Sequence, residues 1–209
     1  MAEAVEFSSL RFANAFASPF VTHVWQEAAE CNPLLKETIL SSEAASPGVT
    51  KSNQGGWHSK TGQLEFCGEA GRRLVAYVVA LANEATKRVF AEFQQSPPVL
   101  EWTLSAWANV NRNGAFNKMH VHPGSTWSGT YYVDTGEVAE PNDAAVLHLW
   151  DPCPGRSTTF LRAPDSIYIR PRPGLMVLFP SYVPHMVFPH QGGGSRISIA
   201  FNLRKEPFP

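Results

Sequence analysis

The chain changes character near Leu100, where short segments rich in β-branched and aromatic residues begin and continue almost to the end of the sequence. The segments are punctuated by Gly, Pro, Asn and Asp, the residues that favour turns, so each segment predicts a short strand. The eight segments are, in chain order, VLEWTLSAWANVN, NKMHVHP, TWSGTYYVDT, AAVLHLWDP, SIYIRP, GLMVLFP, PHMVFPH and SRISIAFNLR. About eight short strands in about a hundred residues fit a double-stranded β-helix, the cupin-like jelly roll.

The first half of the chain has helical spacing after a short first strand. Apolar residues recur at helical intervals from Phe20 to about Ala45, with an interruption at Asn32–Pro33, which predicts two helices or one broken helix. A broad apolar stripe over Glu69–Phe93 predicts the clearest helix, and this helix stops before Pro97–Pro98. The segment Ser46–Gly62 is rich in Ser, Gly and Pro, which predicts a long loop and a candidate lid.

These patterns predict one α+β domain over residues 1–209. Residues 1–98 are expected to form a mainly helical support and residues 99–209 the jelly-roll core, with the N-terminal helices packed on one face of the barrel. A chain of 209 residues, 44% of them hydrophobic, is long and apolar enough for one well-buried domain.

Charge and cysteine usage exclude several classes of function. The formal net charge is -1 and no Lys/Arg run is present, so neither nucleic acid nor an anionic membrane is an expected partner. No apolar run could span a bilayer, and the acidic N-terminus lacks the apolar region of a signal peptide. Three cysteines without a CxxC pair favour free thiols, so we expect a cytoplasmic protein. Exposed sheet edges are compatible with a homodimer.

Three histidines in the strand-rich half predict a metal site. Side chains alternate along a strand, so His120 and His122 point to one side, while Met119 and Val121 point to the other and can pack under the helices. His185 follows a strand end and a proline-rich turn, which makes it the source of a third imidazole. Two imidazoles on one strand face and a third on a nearby barrel strand predict the metal ligands His120, His122 and His185.

The last predicted strand places a positive charge inside the barrel. Ile197, Ile199, Phe201 and Leu203 share one face, and Arg196, Ser198, Ala200 and Asn202 share the other. A charged arginine on the inner face is costly unless an anion meets it. A guanidinium with a hydroxyl two residues further on is well suited to bind a carboxylate.

Together these motifs resemble those of the Fe(II)- and 2-oxoglutarate-dependent oxygenases, and more narrowly those of a bacterial and phage group of such oxygenases. The motifs that carry the resemblance are Asn117, HxHP at 120–123, SGxYYV at 128–133, Gly174–Ser181 with His185, and RISIAFN at 196–202. The match is strong over about the second half of the chain and weak over the first.

The resemblance implies a non-haem Fe(II) enzyme that uses O2 to convert 2-oxoglutarate into succinate and CO2 while it hydroxylates a small-molecule, amino-acid or peptide substrate. Arg196 would pair with the far carboxylate of 2-oxoglutarate, with Ser198 assisting. Tyr132 matches a tyrosine that donates to the same carboxylate in related enzymes, and Asn117 and Asn202 would line the metal side of the pocket. No residue beyond the metal ligands is expected to act in catalysis.

One position departs from the family pattern. The usual facial triad is two histidines and one carboxylate, whereas the second position here is His122. Two arrangements remain open: a three-histidine site, or a two-histidine site completed by water. Asp151 is a remote candidate for the carboxylate, but in the sequence WDP it is more typical of a turn at a strand end.

Two other classes of protein fit part of the pattern. A cupin-type three-histidine dioxygenase would explain the spacing of Gly114 from the first histidine pair and of Gly174 from the following proline. The glutamate that a cupin needs falls, however, at Thr126 or Trp127, and cupin chemistry does not require Arg196. A barrel that binds zinc or another ligand without catalysis is the third alternative. His58, in a Gly-rich loop, is a candidate substrate contact.

Overall fold

The computed structural model describes residues 17–62, 64–97, 99–138, 144–153 and 165–205. These residues form thirteen strands and two helices. The elements are β1 (Val21–Val24), α1 (Ala28–Ala45), β2 (Asn53–Gln54), β3 (Trp57–His58), α2 (Gly68–Glu92), β4 (Trp102–Asn111), β5 (Phe116–His120), β6 (Trp127–Asp134), β7 (Glu137–Val138), β8 (Leu147–Trp150), β9 (Ser166–Ile169), β10 (Leu175–Pro180), β11 (His185–Val187), β12 (Gly192–Gly193) and β13 (Arg196–Lys205), with a 3-10 turn at Glu65–Cys67 before α2.

The strands form two principal antiparallel sheets, as the jelly-roll prediction requires. The larger sheet has the order β1-β10-β6-β13-β4-β3, and the smaller has the order β2-β5-β11-β8-β9. The strands β7 and β12 pair separately. All eight strands predicted from the sequence are present, and the jelly-roll fold is confirmed. Neither helix among the described residues is long and apolar enough to cross a membrane.

The larger sheet has one apolar face and one polar face, and β13 shows why. Ile197, Ile199 and Phe201 are buried in a core shared with α1 and α2. Each large apolar side chain buried in this way stabilises the fold by about 1.5–3 kcal/mol. The alternate residues of β13, beginning with Arg196 and Ser198, therefore point between the two sheets.

The helices agree with the predicted pattern in one case and depart from it in the other. The observed α2 lies within one residue of the predicted helix, and its buried residues Leu74, Val78 and Ala82 recur every four positions. The stretch Val21–Val24, however, is a strand that pairs with β10, so the prediction of a helix from Phe20 was wrong. Apolar spacing over four residues cannot distinguish the two structures.

The first helix is also unbroken, which corrects the two-helix interpretation of the Asn32–Pro33 interruption. Pro33 lies inside α1, where it forfeits one backbone hydrogen bond. The helix continues because Cys31, Leu35 and Ile39 on one face are fully buried. Cys31 and Cys67 are buried and Cys153 is exposed, and all three are free thiols.

The segment Ser46–Gly62 is tied to both sheets. Its strand β2 pairs with β5 of the smaller sheet, and its strand β3 pairs with β4 of the larger sheet. The backbone N–H of Val49 donates to the carbonyl of His58 at 2.9 Å, which closes the segment on itself. This segment thus forms part of the wall of the barrel, and the first half of the chain contributes barrel strands as well as helices.

A bulge in β5 changes which of its side chains point inward. His185 pairs with His120, but Val187 pairs with Asn117, so β5 has one residue more than its partner over this interval. Asn117 and His120 therefore both face the interior, although they are three residues apart. Met119 and Val121 are 48% and 42% exposed, so the prediction that they pack under the helices was wrong. The helices cover the larger sheet instead.

Gly129, in the SGxYYV motif, has a packing role. A Cβ atom at this position would overlap the backbone oxygen of Val177 and the ring of Phe201, neither of which has room to withdraw. Gly129→Ala is therefore expected to lower the free energy of unfolding by about 1–3 kcal/mol, measured by urea denaturation. Gly193→Ala is the control, because its Cβ would approach only the flexible carboxylate of Glu137. Equal stability of the two variants would contradict the packing role.

Candidate metal and cosubstrate site

The structure brings the three predicted histidines together. His120 ends β5 and lies directly opposite His185, the first residue of β11. His122 lies two residues beyond the end of β5, where its backbone N–H donates to the carbonyl of Ser181 at 3.0 Å. The candidate ligand atoms of the three rings all lie within 4.8 Å of one another, and no other such cluster occurs among the described residues. We call His120, His122 and His185 the histidine triad.

Backbone hydrogen bonds fix the tautomer of two of these rings. Nδ1 of His120 lies 2.6 Å from the carbonyl oxygen of Lys118, and Nδ1 of His185 lies 3.0 Å from that of Val183. A carbonyl oxygen can only accept, so each Nδ1 carries the hydrogen and each Nε2 keeps its lone pair. This is the arrangement by which proteins orient histidine ligands towards a metal ion.

The electrostatics of the triad favour neutral imidazoles. Burial lowers the pKa of His120, lowers the pKa of His122 to about 4, and lowers the pKa of His185 to about 3 with help from the nearby His120. Neutral rings offer lone pairs to a divalent cation without first losing a proton. Metal–imidazole bonds of about 2.1 Å need ligand atoms about 3–4 Å apart, so small ring rotations suffice to fit one ion.

A narrow cavity between the two sheets runs inward from the triad, and we call it the inner cavity. Its wall comes from both sheets and consists of Ser52, Trp107, Asn109, Asn117, His120, His122, Ser128, Gly129, Thr130, Leu147, Phe179, His185, Val187, Arg196, Ser198 and Ala200. The histidine triad and Arg196 therefore line one continuous cavity.

Arg196 forms the charged end of the inner cavity. Arg196 is 1% exposed, its Nη1 donates to Ser198 Oγ at 3.0 Å, and its Cζ lies 5.1 Å from the ring centroid of Tyr132. Its Nε and the hydroxyl of Tyr132 are buried without a hydrogen-bond partner, and no carboxylate of the described residues pairs with it. Two unused buried donors beside a positive charge fit the carboxylate of a dicarboxylic ligand.

Burial shifts the pKa of both groups in the directions that disfavour charge. It lowers the pKa of Arg196, and it raises the pKa of Tyr132 against the opposing effect of the guanidinium. Arginine remains protonated in proteins, and a tyrosine with a raised pKa keeps its hydroxyl hydrogen. Both groups therefore remain donors at neutral pH.

The two predicted asparagines occupy different places. Asn117 is on the wall of the inner cavity, and its side chain accepts from Asn111 Nδ2 at 3.3 Å and donates to Ser52 Oγ at 3.4 Å. Asn202 lies outside that wall and accepts a 2.7 Å hydrogen bond from Ser128, which is part of it.

The inner cavity also contains side chains that the sequence interpretation did not assign to it. Asn109 is buried opposite Ser198 with its side-chain oxygen unpartnered, and Trp107 lies between His58 and His122. The signal was the alternation of β4, which places Ser105, Trp107, Asn109 and Asn111 on one face.

The remaining candidates lie elsewhere. Asp151 accepts a 2.8 Å hydrogen bond from the backbone N–H of Cys153, as a turn residue does. His148 is stacked on Tyr168, with ring centroids 4.2 Å apart.

The sequence of residues 105–202 matches a protein family described as "Putative 2OG-Fe(II) oxygenase". This segment runs from within β4 to within β13 and includes the histidine triad and Arg196. No curated protein matches the chain in sequence.

Three solved structures with a similar fold are each 20% identical or less in sequence. A Pseudomonas putida prolyl-4-hydroxylase is 20% identical, with 90% of this chain and 93% of that chain covered and a TM-score of 0.64. A Trichoplax adhaerens prolyl hydroxylase, in complex with a hypoxia inducible factor peptide fragment, is 16% identical, with coverage of 88% and 83% and a TM-score of 0.63. HygX from Streptomyces hygroscopicus, with nickel and 2-oxoglutarate bound, is 10% identical, with coverage of 91% and 84% and a TM-score of 0.60.

Proposed function

Because the chain belongs to the superfamily of Fe(II)- and 2-oxoglutarate-dependent oxygenases, we propose that it is a hydroxylase that inserts one oxygen atom into a C–H bond of an organic substrate. The balanced reaction is R–H + 2-oxoglutarate + O2 → R–OH + succinate + CO2. Fe(II) and 2-oxoglutarate, when bound, supply the oxidising chemistry, and the protein supplies position and electrostatics. One observation carries the proposal: a buried arginine with unused donors lies in the same narrow cavity as three clustered histidines.

We assign Fe(II) to the histidine triad with all three imidazoles as ligands. The carboxylate of the usual triad contributes one negative charge, which His122 does not replace. Fe(II) with three neutral rings and dianionic 2-oxoglutarate then forms a neutral unit, which suits a pocket with no described carboxylate on its wall. A filled third ligand position also favours hydroxylation over halogenation, which usually needs that position vacant.

We assign the far carboxylate of 2-oxoglutarate to Arg196 and the hydroxyl of Tyr132. Ser198 Oγ accepts a hydrogen bond from Nη1 of Arg196, which leaves Nε of Arg196 to donate to the ligand. Asn117, on the wall, orients the cosubstrate near the metal, and Asn202 acts through Ser128. Exclusion of water from this deep end strengthens each of these charge-assisted hydrogen bonds.

Anaerobic titration of the Fe(II)-loaded protein with 2-oxoglutarate tests this function directly. Bidentate chelation of ferrous iron by the keto acid is expected to produce a weak visible charge-transfer band that saturates at one equivalent per iron. Glutarate, which lacks the keto group, is the control and is expected to give no band. Absence of the band at full iron occupancy would reject the assignment and favour a cupin-type dioxygenase or a zinc-binding barrel.

A further inference from the structure

A second cavity adjoins the triad on the side away from Arg196, and we call it the mouth cavity. Its wall consists of Lys51, Ser52, His58, Thr61, Trp107, Lys118, Met119, His120 and His122. Its volume is about 470 Å³, within the range of pockets that hold small organic ligands. It shares Ser52, Trp107 and two histidines of the triad with the inner cavity, so a molecule in it lies beside the metal position.

The charged residues on the described wall of the mouth cavity are all positive. Lys51 and Lys118 are its only charged residues among those described, and neither has an ion-pair partner in the described part of the chain. The Glu65 carboxylate lies near Gly62, off this wall. Two unpaired ammonium groups on one wall create a positive potential that attracts anions.

The fold brings the backbones of the two lysines close together. The backbone N–H of Lys118 donates to the carbonyl of Ser52 at 2.9 Å, so the residue next to Lys51 is fastened to Lys118. The bulge in β5 turns Lys118 outward beside Met119, which alternation already directs away from the inward His120, so that both Lys118 and Met119 line the mouth. The same irregularity thus places the side chain of Lys118 on the wall that also includes the candidate metal ligand His120.

The rest of the mouth offers a flat aromatic surface. The rings of His58 and Trp107 are stacked, with centroids 5.5 Å apart and planes 7° apart, and Trp107 also contacts the ring of His122 at 5.6 Å. Met119, 48% exposed, adds an apolar side chain. Hydrocarbon on this surface would lie close to the metal position, with an anionic group directed at the lysines.

We infer that the substrate to be hydroxylated is a small organic molecule with a carboxylate or phosphate group, which Lys51 and Lys118 bind while its hydrocarbon part lies on Trp107 and Met119. This inference rests on the proposed function and specifies the substrate class of the same site. Both anions share the chemistry that two lysine ammonium groups recognise, and the experiment below distinguishes them.

The test measures binding by ¹⁹F NMR with Mn(II) in place of Fe(II) and with saturating 2-oxoglutarate, which keeps anions away from Arg196. The probes are 4-fluorophenylacetate, 4-fluorophenyl phosphate and the neutral 4-fluorophenylacetamide. Bound Mn(II) broadens the fluorine line of a nearby probe, so broadening reports occupancy beside the triad. We expect at least one anion to bind about 10-fold or more tightly than the amide.

Two variants test whether the lysines cause the preference for the anionic probes. The double variant Lys51→Gln/Lys118→Gln is expected to lose the preference for the anion, so that anion and amide broaden alike. Lys60→Gln, an exposed lysine of the same segment outside the mouth cavity, is the control and is expected to keep the preference. A preference for the carboxylate over the phosphate, or the reverse, identifies the anion.

The inference is overturned if the amide binds as tightly as both anions, or if the double variant retains the preference. Broadening of none of the probes also overturns it, because the mouth would then not bind such molecules. The charge-transfer titration separates this outcome from failure of the proposed function: a saturating band with no anion preference rejects the substrate class alone.

Discussion

Replacing His185 with alanine is expected to lower the affinity for Fe(II) by more than about 100-fold and to abolish 2-oxoglutarate turnover. Loss of a group that merely orients a metal ligand costs about 10–100-fold in affinity, and loss of the ligand itself costs more. His185 is the most deeply buried ring of the triad and donates through Nδ1 to the carbonyl of Val183, and the described wall of the inner cavity has no carboxylate to replace it. Iron retained after anaerobic equilibrium dialysis measures the effect.

A matched control separates metal binding from general damage to the fold. His148 is buried like His185 and belongs to the adjacent strand β8, but its ring stacks on Tyr168 outside the triad. His148→Ala is expected to lose stability and keep its iron. Equal iron contents in wild type, His148→Ala and His185→Ala would refute the three-histidine assignment.

The same dialysis resolves whether His122 is a ligand. His122→Ala is expected to lose iron, whereas His122→Asp is expected to retain it, because aspartate at this position completes the two-histidine, one-carboxylate triad. Retention of wild-type affinity by His122→Ala would instead establish a two-histidine site completed by water.

Regular alternation made the inner face of β13 predictable. β13 pairs with β4 without interruption from Arg196 to Lys205, so the period of two read from the sequence holds over the whole strand. Arg196 and Ser198 therefore lie on the cavity wall as expected, and Ile197 lies on the helix-covered face. Long regular strands with one buried face leave little freedom of register.

Irregular features could not be predicted in the same way. The bulge in β5 turns Asn117 inward and Lys118 outward, and periodicity alone contains no signal for one extra residue. Lys51 and Lys118 are distant in sequence and resemble any surface lysines until β2 pairs with β5. The composition of the segment containing Lys51 predicts a loop, but not that both sheets hold it.

Replacing Arg196 with methionine is expected to raise the KM for 2-oxoglutarate by about 100-fold with iron binding retained. Truncating one partner of a buried, hydrogen-bonded charge pair typically costs 2–5 kcal/mol, and about 2.7 kcal/mol corresponds to 100-fold. Methionine fills much of the volume of arginine but cannot donate to a carboxylate. The same substitution at Arg72, an exposed residue paired with Glu69, is the control and should leave the KM unchanged.

Stability without the cosubstrate distinguishes a binding role for Arg196 from a structural one. A buried guanidinium with no described counter-ion destabilises the ligand-free fold, so Arg196→Met should unfold at the same temperature as wild type or higher when 2-oxoglutarate is absent. Wild type with bound metal should gain about 2.7 kcal/mol at a 2-oxoglutarate concentration 100 times its Kd, and the variant should gain almost nothing. A structural arginine predicts the opposite result: a lower unfolding temperature without ligand and an undiminished gain with it. Thermal unfolding of both proteins, with and without 2-oxoglutarate, therefore decides whether the charge inside the barrel is present for the ligand or for the fold.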